Sequence, residues 1–367
     1  MAKTKVLHLS SERSWRGGEQ QIAYLIEASA KFGVETAVLA RDGSEFETWC
    51  RERRIELYTG GFKNGFDFTT VRKLRKAVRA AGADIVHVHS GKSHSLAWLA
   101  SLTGLDVPVV VHRRVDFKLS SSKLKAAKYN HSSVRRIICV SDAIADMVRA
   151  VVSRPERVVT VYSGIDFERF DGRPPKLSLR SEFSIAADKL LVGNVSALAP
   201  HKDYDTWLAT AAKVLEKRDD VHFFAVGSGS LEAKMKALAK KLKIADRVTF
   251  TGFRKDVPDI LNGLDVFLIT SRTEGLGTGI IDAMYCGLPV TATRAGGIPE
   301  LVVDGETGFL SNPGDVDAIA SRLNVLLDDP ELRKSFGDAG RARSLNFSKD
   351  RMAEAVTGHY RDVLGGG

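Results

Sequence analysis

The chain has 367 residues, of which 44% are hydrophobic and 27% are charged. This composition is typical of a soluble globular protein, and the length favours two domains over a single hydrophobic core. No run of about 18 apolar residues is present to span a membrane, and the first residues do not resemble a signal peptide, so we expect a cytoplasmic protein.

The charge distribution and the cysteines add two constraints. Residues 1–170 carry 28 Lys and Arg against 18 Asp and Glu, whereas residues 171–367 carry 26 against 27, so the net charge of +9 belongs to the first half. This asymmetry indicates an anionic partner for the first half, or solubility alone. The three cysteines are too widely spaced for a zinc site or a disulfide framework, which indicates a reducing compartment.

In the first half, short apolar runs alternate with helical patterns, as in the βαβ units of a parallel sheet. The predicted strands are Val6–Leu9, Glu35–Ala40, Ile55–Tyr58, Asp84–His89, Val107–His112, Arg136–Val140 and Val158–Tyr162. The predicted helices between them are Gln20–Lys31, Thr69–Ala81, Ser93–Ser101 and Ala143–Val151.

A Gly/Pro-rich segment, residues 171–175, then predicts a linker. After it the same rhythm returns, with predicted strands Leu190–Val195, Val221–Val226, Arg247–Phe250, Val266–Thr270 and Pro289–Ala292. The predicted helices are Tyr204–Glu216, Leu231–Leu242, Gly279–Cys286 and Val316–Leu327, with a last one at about Lys349–Leu364.

These patterns predict an α/β protein with two Rossmann-like lobes, each a doubly wound parallel sheet, facing a central cleft. We expect the lobes at residues 1–170 and 171–347, and a C-terminal helical segment at 348–367 that packs on either lobe. Sheets of this kind bind ligands at the carboxyl ends of their strands, so polar residues that directly follow strands are the first candidates for a site.

Three such segments stand out. Gly17 and Gly18 follow the first strand and Arg16, and they leave backbone N–H groups free at a helix N-terminus, where anions bind; a plain turn is the alternative. Lys202 follows the strand at 190–195 and can reach a phosphate there, or it is a solvated loop lysine. Asp203 and Asp205 nearby have the spacing of a metal motif, but both fall in the first turn of a helix, so we assign them to the helix dipole.

The third segment is the most specific. The strand at 266–270 leads through Arg272 and Glu274 into a turn with glycines at 275, 277 and 279, followed by a helix. This turn predicts N–H groups that face a diphosphate, with Glu274 beside it and Asp282 within reach of a ribose. A structural turn with two surface acids is the alternative.

These features together resemble the family-4 retaining glycosyltransferases of GT-B fold. Further matching stretches are Gly252–Val257, Ala283–Met284 with Gly287–Val290, Gly296–Val302 and Asp304–Leu310. The resemblance spans nearly the whole chain and is densest from about Val221 to Leu310. It implies a sugar transferase whose first lobe binds the acceptor and whose second lobe binds a UDP-, GDP- or ADP-sugar.

The resemblance also implies individual roles. Glu274 and His112 are the expected catalytic residues, the latter through its backbone carbonyl. The expected donor-binding residues are Lys202, Gly227, Ser228, Phe253, Arg254, Arg272, Gly275, Leu276, Gly277, Thr278 and Asp282. Arg16, Gly17, Gly18, Arg113 and Arg114 are expected on the acceptor side. Two positions depart from the family pattern: Asp282 replaces the usual Glu, and Ala197 replaces an Arg, so Lys202 must neutralise the diphosphate alone or with Arg272, Arg16 or another cation.

The expected mechanism is front-side displacement with retention, because the sequence offers no clear carboxylate nucleophile in the first lobe. No metal or cofactor is expected, because Lys202 and the helix N-terminus neutralise the diphosphate. Residues 113–136 hold eight basic residues and one acid. This basic stretch indicates an anionic or lipid-linked glycan acceptor, such as a lipopolysaccharide core, or peripheral contact with the inner face of an anionic membrane. Nucleic acid is not expected, since no aromatic residues interleave the cations. The alternatives are a sugar-nucleotide epimerase of the same fold and a catalytically silent nucleotide-sugar-binding protein.

Overall fold

The computed structural model describes residues 3–115, 123–171 and 179–365. The chain forms two compact units: unit 1 comprises Met1–Gly164 and Phe347–Gly367, and unit 2 comprises Ile165–Asn346. Most of the predicted linker, residues 172–175, lies outside the described residues.

Unit 1 is built on a parallel sheet of seven strands with the order β3-β2-β1-β4-β5-β6-β7. The strands are β1 (Thr4–Ser10), β2 (Val34–Arg41), β3 (Glu56–Gly60), β4 (Ile85–Val88), β5 (Val109–Arg113), β6 (Val134–Cys139) and β7 (Val158–Thr160). The helices are α1 (Gly17–Ser29), α2 (Glu45–Glu52), α3 (Phe68–Ala81), α4 (Gly91–Leu102), α5 (Lys123–Asn130) and α6 (Asp142–Arg149). Several begin after a serine or aspartate whose side chain accepts a backbone N–H of the first turn, as Ser90 does for α4.

Unit 2 has a parallel sheet of six strands with the order β10-β9-β8-β11-β12-β13. Its strands are β8 (Leu190–Val195), β9 (Val221–Val226), β10 (Val248–Gly252), β11 (Val266–Ile269), β12 (Val290–Thr293) and β13 (Gly308–Ser311). Its helices are α7 (Leu179–Glu182), α8 (Tyr204–Leu215), α9 (Glu232–Lys241), α10 (Val257–Asn262), α11 (Thr278–Tyr285), α12 (Ile298–Leu301), α13 (Val316–Asp328) and α14 (Pro330–Ser344). Trp207 anchors the core, since its fully buried indole donates to the Leu268 carbonyl at 3.1 Å.

The last helix, α15 (Lys349–Val363), belongs to unit 1. Its Met352, Val356 and Tyr360 are buried in one hydrophobic cluster with Val6 of β1 and Tyr24 of α1. No helix among the described residues is both long and apolar enough to cross a lipid bilayer.

The predicted α/β class with two Rossmann-like lobes is confirmed by the two parallel sheets. In each sheet the chain first builds strands to one side and then crosses to the other, so the direction reverses between β1 and β4 and again between β8 and β11. Loops at the carboxyl ends of such strand pairs open away from each other, and ligands bind there. The two reversal points therefore position the candidate sites.

Candidate functional sites

The reversal point of unit 2 brings Lys202 and Glu274 together. Lys202 ends the short turn after β8, and Glu274 lies in the loop after β11, the neighbouring strand. The Nζ of Lys202 lies 2.5 Å from Oε2 of Glu274, and the two side chains are only 14% and 13% exposed. Ser271 donates from its Oγ to the same carboxylate oxygen at 3.2 Å. An ammonium and a carboxylate are thus held at the carboxyl edge of the sheet, where the sequence pattern placed them.

The glycine-rich turn beside this pair opens α11 without a side-chain cap. Gly277 is the N-cap residue and has φ 92°, a conformation that favours glycine. A Cβ at Gly279 would lie 3.2 Å from the Val195 carbonyl oxygen, so this position also has little room for a side chain. Leu276 is buried and anchors the turn between Gly275 and Thr278. The N-terminus of α11 therefore keeps its partial positive charge available for an anion.

The cation of unit 2 that was expected to assist Lys202, Arg272, has a partner of its own. Arg272 donates from Nε to Oδ2 of Asp203 at 2.8 Å. Asp203 has φ 50° and caps α8 through the Thr206 backbone N–H, while Asp205 pairs with Lys234 at 3.0 Å. Asp203 and Asp205 thus have structural roles at the start of α8. Ala197 adds no charge, so Lys202 is the cation nearest the Glu274 carboxylate among the described ion pairs.

Asp282 lies on α11 and forms an ion pair with Arg169, whose Nη2 is 3.1 Å from Oδ1. Burial raises the pKa of the Asp282 carboxyl, and the adjacent Arg169 opposes that rise. Sequence reasoning did not find this partner, because the two residues are far apart in the chain and Arg169 lies in no recognisable motif.

The segment expected against a nucleobase lies after β10. Phe253 is 70% exposed, whereas Arg254 forms ion pairs with Asp256 and Glu182 that hold the pKa of its guanidinium above the ordinary value. Gly227 has φ 138° and bridges Gly252, and a Cβ there would collide with the Ser196 carbonyl. The Ser228 carbonyl accepts the Leu198 N–H at 3.1 Å, which ties this segment to the loop that carries Lys202.

In unit 1 the reversal point holds a cavity of about 250 Å³. Its lining includes Arg16, Gly18, Glu19, His89, His112 and Arg114. Arg16 is the N-cap residue of α1 and provides no side-chain cap, and a Cβ at Gly17 or Gly18 would meet no atom within 4 Å. Glu19 is only 4% exposed, and burial is the main cause that raises the pKa of its carboxyl. The cavity thus offers both cations and a desolvated carboxyl group.

Next to this cavity lies a buried cluster of four histidines, His8, His87, His89 and His112, two of which, His89 and His112, also line the cavity. His8 Nδ1 lies 2.9 Å from His89 Nε2, and His87 Nδ1 lies 2.6 Å from the Tyr360 hydroxyl. Arg114 donates from Nη2 to Nδ1 of His89 at 3.1 Å and to Nδ1 of His112 at 3.3 Å. Because a guanidinium can only donate, these contacts assign the proton of both rings to Nε2.

Burial is the main cause that lowers the pKa of every ring in the cluster, to about 3 for His8 and well below the ordinary value for the other three. The four rings are therefore neutral at pH 7. Ring nitrogens of His8, His87 and His89 lie within 4.8 Å of one another, a distance that suits metal ligands. His89 Nε2 already carries a proton that points at His8, and the Arg114 charge faces the group, so we assign this cluster to packing and hydrogen bonding in place of metal binding.

Comparisons with known proteins agree with this geometry. Residues 15–169 match the family described as Glycosyltransferase Family 4, and residues 176–343 match Glycosyl transferases group 1. N-acetyl-alpha-D-glucosaminyl L-malate synthase of Bacillus anthracis is 28% identical over 320 residues, which are 82% of this chain and 80% of that protein. The chain belongs to the family-4 glycosyltransferases.

A second sequence relative and a solved structure are also similar to this glycosyltransferase. UDP-Gal:alpha-D-GlcNAc-diphosphoundecaprenol alpha-1,3-galactosyltransferase of Escherichia coli is 28% identical over 281 residues, 72% of each chain. The crystal structure of Anabaena HepE in complex with UDP and glucose has a TM-score of 0.84, 23% identity, and covers 98% of this chain and 100% of its own. The predicted GT-B fold and transferase class are confirmed.

The basic stretch of the glycosyltransferase, residues 113–136, is described only in part, and most of its described cations have partners within unit 1. Arg113 donates to the Tyr129 hydroxyl at 3.1 Å, Lys128 to the Gly91 carbonyl at 3.3 Å, and Arg136 pairs with Asp362 at 3.3 Å. Arg114 is directed at the histidines. The side chains of Lys118, Lys123 and Lys125 lie outside the described residues. The described cations of this stretch thus contact neighbouring groups of unit 1, with Arg135 exposed.

Sequence reasoning missed His8, His87, His89, Glu19 and Tyr360. Each histidine lies in or directly after a strand, where a polar residue among apolar ones is the available signal. The cluster forms because β1, β4 and β5 are neighbours in the sheet, which the sequence order of the strands does not reveal.

Proposed function

We propose that this glycosyltransferase moves a hexose-type sugar from a nucleoside diphosphate sugar, with UDP as the first candidate, to an anionic or lipid-linked acceptor with retention of configuration. The observation that carries the proposal is the buried Lys202–Glu274 pair beside the uncapped N-terminus of α11. The UDP complex of Anabaena HepE and the UDP-Gal in the name of the E. coli relative support UDP.

The proposed donor site lies in unit 2. The diphosphate is neutralised by Lys202 and by the N–H groups of Gly275, Gly277 and Thr278. In this proposal the neutralisation requires no divalent metal. The Glu274 carboxylate holds the Lys202 ammonium in place before the donor binds. Once the donor is bound, it accepts hydrogen bonds from hydroxyl groups of the donor sugar. The carboxylate oxygen of Asp282 that does not face Arg169 accepts a hydrogen bond from a ribose hydroxyl. The exposed Phe253 ring stacks on the nucleobase.

The proposed chemistry is front-side displacement. The bond between the anomeric carbon and the leaving diphosphate oxygen breaks, and the acceptor oxygen forms its bond on the same face. The acceptor proton passes to an oxygen of the leaving diphosphate, so no external base is needed. Lys202 and the α11 dipole stabilise the negative charge that grows on the leaving group, a type of effect that contributes a factor of about 10²–10³ per donor group. His112 remains the proposed catalytic residue of unit 1, on the resemblance to the family.

The proposed acceptor site is the cavity of unit 1. A carboxylate or phosphate of the acceptor would be bound by Arg16, Arg114 and the N-terminus of α1 at Gly17 and Gly18. Glu19 would accept a hydrogen bond from an acceptor hydroxyl group. The names of two relatives support such acceptors, since one contains L-malate and the other diphosphoundecaprenol.

The test is binding of UDP-, GDP- and ADP-sugars, measured by thermal shift in EDTA, on the wild type and on Lys202→Met. We expect one nucleotide to raise the melting temperature of the wild type and to lose most of that effect in Lys202→Met. Lys234→Met is the matched control, because Lys234 also pairs with an acid in unit 2 but lies on α9.

Two results would count against the proposal. If none of the donors shifts the wild type, the proposed donor site is wrong. If Lys202→Met and Lys234→Met respond alike to the donor, the diphosphate is neutralised elsewhere.

A further inference from the structure

The segment between β3 and α3 exposes two aromatic side chains. Phe66 is 59% exposed and Phe68 is 67% exposed. Two buried side chains anchor the segment: Phe62 is fully buried, and the buried Asp67 carboxylate accepts hydrogen bonds from the backbone N–H groups of Lys63 and Thr70. Phe66 and Phe68 therefore face solvent in an anchored segment, and their exposure is a stable property of the surface.

The helix that follows is basic along its outer side. Arg72, Lys73, Lys76 and Arg79 are exposed, and none of the four has an ion pair or side-chain hydrogen bond to a described residue. Between residues 61 and 83 the one acid is Asp67, which is occupied as the N-cap of α3. Phe68, Arg72 and Lys76 are spaced four residues apart, so they share one side of α3.

We propose that Phe66, Phe68, Arg72, Lys73, Lys76 and Arg79 form an aromatic-basic face that docks on an anionic lipid bilayer. Aromatic rings partition into the boundary between headgroups and acyl chains, and adjacent cations bind the lipid phosphates. Both kinds of group occur here on one face of an amphipathic helix whose other side, with Val71, Leu74 and Val78, is buried on the sheet. The two rings lie at one end of the face and do not alternate with the cations, which favours a lipid surface over a nucleic acid strand.

The position of this face fits a lipid-borne acceptor, and this step alone rests on the proposed function. The Phe66 segment follows β3, and all strands of the sheet are parallel, so it lies at the same edge as the cavity of unit 1. A Cβ at Gly65 would lie 3.3 Å from Cβ of Ser95 on α4. The first residues of α4, including Gly91 and His94, line that cavity. A bilayer against the aromatic-basic face would thus bring its headgroups near the proposed acceptor site.

The size of the effect follows from the groups involved. Each cation close to an anionic bilayer strengthens binding by a factor of about five, so Arg72→Gln/Lys76→Gln should weaken it by about 25-fold. Loss of both rings in Phe66→Ser/Phe68→Ser should weaken binding at least about ten-fold. Salt should weaken binding of the wild type, since the cations are exposed.

The experiment is cosedimentation of the full chain with phosphatidylcholine vesicles, with and without phosphatidylglycerol. The wild type should bind only the vesicles that contain phosphatidylglycerol, and both double variants should lose that binding. The matched control is Lys240→Gln/Lys241→Gln, which removes two exposed cations from α9 of unit 2 and should bind like the wild type.

Three results would overturn the proposal: no binding by the wild type, equal binding to vesicles without phosphatidylglycerol, or equal losses in the control and the Arg72/Lys76 variant. Binding that survives both double variants but is lost in Arg135→Gln would assign the membrane contact to the basic stretch instead. Each protein is also tested for its thermal shift with nucleotide sugar. If the wild type binds vesicles but no nucleotide sugar changes its melting temperature, the proposed function alone is contradicted. If a nucleotide sugar raises the melting temperature but the wild type does not bind vesicles, the docking face alone is contradicted.

Discussion

Lys202 and Glu274 are separated by 72 residues and meet because β8 and β11 are neighbours in the sheet. In this enclosed position the Lys202 ammonium or the Glu274 carboxylate alone would be poorly solvated, and the ion pair between them compensates for the lost solvation of both. The sequence could predict that both residues follow strands, and it could predict the edge of the sheet at which they lie. It could not predict their direct contact, which depends on the strand order and on the turn at Pro200–Lys202.

Removing either partner of this pair should destabilise unit 2 more than removing both. Lys202→Met leaves the Glu274 carboxylate without its partner, at a cost of about 2 kcal/mol. The double variant Lys202→Met/Glu274→Gln should recover at least half of that loss, because no charge is left unpaired. A double-mutant cycle by urea denaturation measures the coupling, and additive losses would show that the pair contributes no mutual stabilisation.

The neutral histidines of unit 1 should make its stability depend on pH. The unfolded chain takes up protons below the ordinary histidine pKa of 6.5, whereas His8 and His94 in the folded chain do so only near 3. Stability is therefore present above pH 6.5 and is lost as the pH falls towards 3, by about 1 kcal/mol per buried histidine between pH 6.5 and 5.5.

This prediction can be checked with His94→Gln, which keeps a donor for the Lys128 carbonyl. Urea titrations should show a shallower pH dependence for this variant than for the wild type, whatever its stability at neutral pH. An unchanged slope in His94→Gln would contradict the account.

At the scale of elements, α11 carries the donor loop and is supported by α14. Gly337 of α14 lies so close to the Gly287 carbonyl, directly after α11, that a Cβ there would overlap the oxygen. This contact explains a glycine in the middle of a helix, where glycine is otherwise unfavourable. The sequence pattern did not predict α14, because its 15 residues are mostly polar and include two glycines.

Gly337→Ala should therefore destabilise unit 2 by about 2 kcal/mol through overpacking and weaken the donor-induced thermal shift. Gly358→Ala is the matched control, since Gly358 also lies within a helix, α15, and a Cβ there meets no atom within 4 Å. Its higher helix propensity should stabilise that helix by up to about 1 kcal/mol. Equal effects of the two substitutions on the melting temperature would show that α14 does not pack on α11 in this way.

The other elements differ in how far the sequence determined them. The strand β11 is apolar throughout, and β1 and β8 each contain at least three apolar residues; all three strands were predicted within one or two residues. β13 was missed because Phe309 and Leu310 are the only large apolar residues among its four. The helix α2 was missed because it is short and carries Glu and Arg between its buried Phe46, Trp49 and Cys50. Periodicity needs several turns or strand residues to become visible, so short elements depend on tertiary contacts for their detection.

At the scale of the whole molecule, the uneven charge predicted an anionic partner for the first half of the chain. The sequence directed attention to residues 113–136, where the cations are close together. The structure shows that several of them contact neighbouring groups, whereas the cations of α3 have no such partners among the described residues. Charge density along a sequence therefore differs from charge available at a surface, because hydrogen bonding and burial decide which cations remain free.

The central claim is that a nucleoside diphosphate sugar reacts at the Lys202–Glu274 site with retention. The most direct test is proton NMR of sugar released from an α-linked donor in EDTA, recorded before the anomers equilibrate. We expect the α-anomer first, at a rate about 100-fold lower in Glu274→Gln and unchanged in the exposed control Glu306→Gln. Release of the β-anomer first, or equal rates in wild type and Glu274→Gln, would contradict the account.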